Sequence, residues 1–116
     1  AVLLGDLPAL QPADLRAALA ACAEALAGGA PSVVVPDAEG TGSVLLAGTD
    51  AAGLRPAFGP QSALAHTGSG SVRLDLDLPR LRRDVDTASD LAAAVRLGVG
   101  PRTSAVLRAA RSAGVA

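Results

Sequence analysis

Phe58 is the only aromatic residue of this chain, and methionine, tryptophan and tyrosine are absent. Any core must therefore be almost entirely aliphatic, filled by alanine, valine and leucine. Half of the 116 residues are apolar, which suffices for one small domain and not for two. Short apolar or β-branched runs alternate with alanine-rich helical stretches along the whole chain. That alternation predicts an α/β fold without internal repeats or a dividing linker.

The opening "AVLLG" reads as a buried strand, with Asp6 placed just past its end. Pro12 and Asp14 begin a helix whose leucines at 15, 19 and 26 recur on a helical period, and Gly28 and Gly29 stop it. "PSVVVPD" (31–37) and "SVLLAG" (43–48) are strands joined by "DAEGTG", a loop too long for a two-residue hairpin. A short helix is expected from Gln61 to His66. "VRLDLDL" (72–78) alternates as an exposed or edge strand does, and a further short strand precedes Thr87, which caps a helix ending at Gly98 with Asp90 three residues on. The closing helix starts at Pro101 and carries arginines on a solvated or docking face.

Charge and cysteine content exclude several classes of function. All ten basic residues are arginines, and eleven acidic ones bring the formal charge to −1. Such a balance gives no electrostatic footprint for nucleic acid or an anionic membrane. No stretch has the ~20 continuous apolar residues of a membrane span, and the first residues lack the basic start of a signal peptide. Cys22, alone in an alanine-rich helix, reads as a buried inert thiol in a reducing compartment. These features predict a soluble cytoplasmic protein. The start at Ala1, directly in an interior-looking strand, reads as part of a longer polypeptide.

Three stretches suggest chemistry: "GDLP" (5–8), "GTGS" with "FGPQS" (40–43 and 58–62), and "DVDT" (84–87). Asp6, Asp84 and Asp86 each follow a strand-like run, so they are candidates to meet at one sheet edge. Carboxylates gathered there repel unless a cation joins them, and Mg²⁺ suits a site of hard oxygen ligands completed by water and phosphate. Each aspartate taken alone also suits a cap or turn, Asp86 especially, just before the Thr87 helix start. The glycine- and hydroxyl-rich loops have the chemistry of a phosphate cradle. Equally, Gly40 and Gly42 suit turns with positive φ, and Ser62 suits an N-cap. His66, the only histidine, excludes any site built on several, and it is expected at the end of a helix bordering a site. Hydrolase-elbow, CxxC, HExxH and Walker motifs are all lacking.

Taken in order, "GDLPAL", "GTGS", "FGPQSALAH" and "LRRDVDTASDLAAAVRLGVGP" resemble the C-terminal half of the phosphoenolpyruvate or 2-phospho-L-lactate guanylyltransferases of deazaflavin coenzyme biosynthesis, from Ala1 to about Pro101. "GDLP" alone is shared by many nucleotidyltransferases; its combination with "FGPxS" and "DVDT" at these intervals is specific. The resemblance implies a Rossmann-like (GT-A-like) nucleotidyltransferase fold, a three-layer α/β sandwich present here as its C-terminal half only. It implies Mg²⁺ on Asp6 and Asp84, with Asp86 a further candidate ligand. It also implies that Ser43, Gly59 and Ser62 bind the acceptor, Ser43 standing where threonine is usual. GTP is the implied donor and pyrophosphate the leaving group. The family's N-terminal nucleotide-binding half has no counterpart in these residues, so this part alone is expected to be inactive. The implied partners are that half or a second copy of the chain, seated on the open edge of the first strand.

Other readings stay open at this level. One is a related nucleotidyl- or glycosyltransferase-like domain with another donor; the other is a non-catalytic module that binds an anion or a partner chain.

Overall fold

Val33, Val34 and Val35 are consecutive, β-branched and fully buried, and they form the middle of the sheet. A strand buried on both faces needs cover above and below, which short alternating elements supply. The computed structural model describes residues 1–114, which form a mixed α/β chain with a four-stranded sheet and five helices. In chain order these are β1 (Val2–Leu3), α1 (Pro12–Ala27), β2 (Ser32–Pro36), β3 (Ser43–Gly48), α2 (Ser62–Gly68), β4 (Ser71–Arg73), α3 (Pro79–Arg82), α4 (Ala88–Leu97) and α5 (Pro101–Ser112).

The strand order is β1-β3-β2-β4. β3 is antiparallel to both β1 and β2, whereas β4 is parallel to β2. β1, β2 and β4 thus share a direction, so the segments leaving β1 and β2 and the start of β3 lie at one edge of the sheet. β2 and β3 pair through Val33–Ala47, Val34–Leu46 and Val35–Leu45, and the register slips at Pro36, which has no N–H to donate.

The two faces of the sheet are covered differently. Val33, Val35, Leu45 and Ala47 cluster with Ala18 and Cys22 of α1, Leu7 and Leu81. Successive side chains alternate, so Val34 and Leu46 face the other side, where α2 packs against β2 and β4. Burial pushes the Cys22 thiol pKa up, in keeping with an inert core residue.

Several sequence expectations change. β1 is short and half exposed rather than a buried strand, because in this chain it lies at the sheet edge with β3 as its single neighbour. The side of α1 that meets the sheet centres on Ala18 and Cys22; of the expected leucines, Leu26 packs against the core while Leu19 is 40% exposed. Small residues let the helix approach a sheet studded with valines. Of the alternating run only Val72 and Arg73 lie in a strand, β4, which is an edge strand. The expected short strand before Thr87 is instead α3, where Pro79 at the first turn starts a helix and Leu81 points into the core. Asp84 and Asp86 therefore follow a helix, not a strand.

The helix ends agree with the local code. Thr87 Oγ1 accepts from the Asp90 amide at 3.2 Å, and Asp90 Oδ2 accepts from the Thr87 amide at 3.0 Å. Asp14 accepts the Gln11 amide at 3.0 Å and takes the Arg80 guanidinium on both oxygens, at 2.8 and 3.0 Å. This pair pins α1 to α3 and holds the Asp14 carboxyl below its ordinary pKa, chiefly through the Arg80 hydrogen bonds. α5 buries no residue, and the longest extent of the chain is 51 Å. Among the described residues no helix is long and apolar enough to cross a membrane.

Candidate active site

Asp37 is the residue that shapes the sheet edge. It follows β2 directly and is buried, and its two carboxylate oxygens accept the Thr41 and Gly42 amides at 3.1 and 3.0 Å. Its own amide donates to the Gly42 carbonyl at 2.9 Å, closing the 37–42 loop. A Cβ on Gly42 would collide with Asp37 Oδ2, so glycine is required there by close approach; at Gly40 it is the φ of +83° that favours glycine. This is the task of the loop that is too long for a tight hairpin: it folds around a carboxylate and presents Ser43.

Asp84 is brought to the same edge by two arginines. Arg82 donates to the carbonyls of Pro36, Asp37 and Leu76 at 3.0–3.1 Å, and its own carbonyl accepts the Ala38 amide at 2.7 Å. Arg83 bonds Glu39 at 2.6 Å and reaches Asp90 at 3.4 Å. Leu81, with no exposed surface, anchors the segment from below.

The outcome is an acidic cluster. Asp6, Asp84 and Asp86 each offer a carboxylate oxygen within 4.8 Å of the other two, and Asp37, Glu39 and Asp84 form a second such group. Asp84 belongs to both. Its pKa is pushed up to about 6, first by burial and then by the charges of Asp37, Asp86 and Asp6. A carboxylate held this unfavourably is eased by any cation that joins it. Both groups offer hard oxygen donors close enough together to hold a metal ion.

Facing the carboxylates is the hydroxyl wall. Asp6, Asp37, Asp84 and Asp86 share a cleft of about 510 Å³ with Ser43, Gly59 and Ser62. Gly59 has φ +135° and nothing within 4 Å of where a Cβ would sit, so its bare backbone borders the opening. Ser62 does not cap α2; Gln61 holds the N-cap position at φ 59°, and the Ser62 hydroxyl donates to Ser43 Oγ at 3.1 Å. His66, in the last turn of α2, is buried against Ser43.

All six sequence-derived candidates thus line one cleft. Sequence reasoning missed Asp37, Arg82 and the contact between His66 and Ser43. An Asp directly after a β-branched strand, the same signal that singled out Asp6, was available for Asp37. Nothing local distinguished Arg82 from Arg83.

The chain is thus a mixed α/β protein in which carboxylates from the segments after β1, β2 and α3 face glycine and hydroxyl loops across one cleft. No protein-family model matches the chain. It is 56% identical to a phosphoenolpyruvate guanylyltransferase of Salinispora arenicola over 88% of its length and 46% of the relative's. The homologous enzyme of Geodermatophilus obscurus is also 56% identical, over 92% of this chain and 47% of its own. That of Sanguibacter keddieii is 53% identical over 92% and 37%. The chain is a homologue of the phosphoenolpyruvate guanylyltransferases and spans about half the length, or less, of these curated relatives.

Proposed function

We propose that this chain is the metal- and acceptor-binding C-terminal half of a phosphoenolpyruvate guanylyltransferase with a Rossmann-like nucleotidyltransferase fold. Its three-layer sandwich would be completed by an N-terminal, nucleotide-binding half. In the reaction a phosphate oxygen of phosphoenolpyruvate attacks the α-phosphorus of GTP. The bond from that phosphorus to the oxygen bridging to the β-phosphate breaks, and pyrophosphate leaves as GMP is transferred. The observation that carries the reading is one cleft holding Asp6, Asp84 and Asp86 opposite Ser43, Gly59 and Ser62, in a chain 56% identical to enzymes so named.

Asp6, Asp84 and Asp86 would hold Mg²⁺, which supplies neutralisation of two polyanions that otherwise repel. Ser43 and the Gly59 backbone receive the acceptor's charged groups without a fixed cation that would compete with the metal. A phosphate is already a nucleophile near neutral pH, so no side chain has to take a proton from it. That suits a cleft lined by carboxylates and hydroxyls.

The missing half would cover the open edge of β1, where Val2 is 36% exposed, and would bring the GTP site. The setting is deazaflavin coenzyme synthesis in the cytoplasm, in keeping with a free buried Cys22. Pyrophosphate release by the whole protein, with GTP, Mg²⁺ and either phosphoenolpyruvate or 2-phospho-L-lactate, tests the reading. Release is expected with phosphoenolpyruvate, and its absence with both acceptors refutes the assignment. The 116-residue chain alone should bind no GTP in calorimetry; micromolar binding would show that the division into halves is wrong.

A further inference from the structure

His66 is 1% exposed and lies behind the hydroxyl wall of the cleft, touching Ser43 and the 57–58 segment. Its Nε2 accepts the Ala57 amide at 2.9 Å, and its Nδ1 lies 2.8 Å from Ser43 Oγ. Its ring meets Phe58 edge-on, with centroids 5.2 Å apart. A backbone amide can only donate, so Nε2 must carry a lone pair and the ring proton of neutral histidine must sit on Nδ1. Ser43 Oγ therefore accepts from His66. It also accepts from Ser62, whose hydroxyl donates to it at 3.1 Å. With both accepting positions of that oxygen used, its own proton is left to donate, and among the described residues no acceptor takes it.

From this one-way chain we propose that His66 is a positioning residue: fixed as the Nδ1–H tautomer by Ala57, it holds Ser43 as a hydrogen-bond donor toward an anionic oxygen of the acceptor. Ser62 then serves the acceptor through Ser43, and the two serines are not equivalent. The Ala57 bond and the Phe58 contact also tie the loop bearing Gly59 to the same ring, so one residue sets the spacing of Ser43 and Gly59 along the hydroxyl wall. Burial lowers the His66 pKa, which favours the neutral ring this arrangement needs. Donors aligned in series polarise one another, which strengthens the last one. The identity of the anion as phosphoenolpyruvate rests on the function proposed above; the donor direction does not.

Two measurements test this. In the whole protein the His66 imidazole signals are identified by their loss in His66→Leu, and their ¹⁵N shifts report the tautomer. A neutral ring with the proton on Nδ1 is expected; a proton on Nε2, or on both nitrogens at pH 7.5, overturns the proposal. Calorimetry then compares Mg²⁺ alone with phosphoenolpyruvate in the presence of Mg²⁺. His66→Leu should weaken phosphoenolpyruvate about tenfold or more, the loss expected when a hydrogen bond to a charged group is disturbed. Mg²⁺ affinity should not change. His66→Asn, whose amide N–H can replace Nδ1–H, should recover most of that loss. Unchanged phosphoenolpyruvate binding in His66→Leu, an equal loss for Mg²⁺, or no difference between the Leu and Asn variants would each overturn it. If the parent protein shows the Nδ1 proton yet binds no phosphoenolpyruvate, the hold of His66 on Ser43 is upheld and the acceptor reading fails.

Discussion

Replacing Asp84 with asparagine should make the protein more stable at neutral pH while removing the Mg²⁺ binding proposed above. In the folded chain the Asp84 pKa is raised from 3.8 to about 6 by burial and by Asp37, Asp86 and Asp6. A raised carboxyl pKa means that the ionised form is disfavoured in the fold. The resulting cost is absent below pH 3.8, grows as pH rises toward 6 and is constant above that. At about 1.4 kcal/mol per pH unit the full shift corresponds to roughly 3 kcal/mol. Partial exposure and screening reduce this to about 1–2 kcal/mol. Asn keeps the shape without the charge, so Tm at pH 7.5 in a chelator should rise by roughly 3–8 °C. Below pH about 4 the two proteins should melt alike. Saturating Mg²⁺ should stabilise the parent and scarcely affect the variant, because only a ligand that binds the folded state raises Tm. Scanning calorimetry across pH 3.5–8, with and without Mg²⁺, decides the matter. A variant no more stable than the parent at pH 7.5 would refute the charge-crowding argument, and equal Mg²⁺ stabilisation of both would remove Asp84 from the ligand set.

Other residues give predictions of different sign. Asp14→Asn should destabilise the fold by about 1–2 kcal/mol at pH 7, because the Arg80 pair is broken on the buried side; the parent's advantage, tied to a lowered pKa, should persist above pH 3.8 and fade below it in acid titrations followed by circular dichroism. Gly42→Ala forces Asp37 off the Thr41 and Gly42 amides, so it should cost about 1–3 kcal/mol in urea unfolding; a neutral effect would mean that the 37–42 loop yields freely. Gly59→Val places a β-branched residue at φ +135° beside the open cleft. In the whole enzyme it should raise the KM for phosphoenolpyruvate far more than that for GTP, and an equal rise for both would assign the loop to the fold alone.

Several short-range features were legible in the sequence, although α3 and the cap of α2 were not. The Pro12 and Pro101 helix starts, the Thr87–Asp90 capping box and the valine strand depend on neighbours within a few residues, and the structure has each of them. The composition of the cleft was legible too, because glycine, hydroxyl and carboxylate runs at loop positions announce anion and cation chemistry by residue type. Tertiary structure decided which of those groups meet. Asp84 follows a helix and reaches Asp6 only because Arg82 bonds carbonyls more than forty residues away in sequence and Leu81 sinks into a core shared with β2 and β3. No local pattern encodes such a contact. The leucine stripe of α1 misled in part for a similar reason: periodicity shows that a helix has a face, but the valine-covered sheet selected the side centred on Ala18 and Cys22, which keeps Leu26 and turns Leu19 outward. The direction of the hydrogen bonds through His66 is likewise tertiary, since the donors and acceptors that fix its proton come from Ala57, Ser43 and Ser62, on separate segments that only folding brings to one ring.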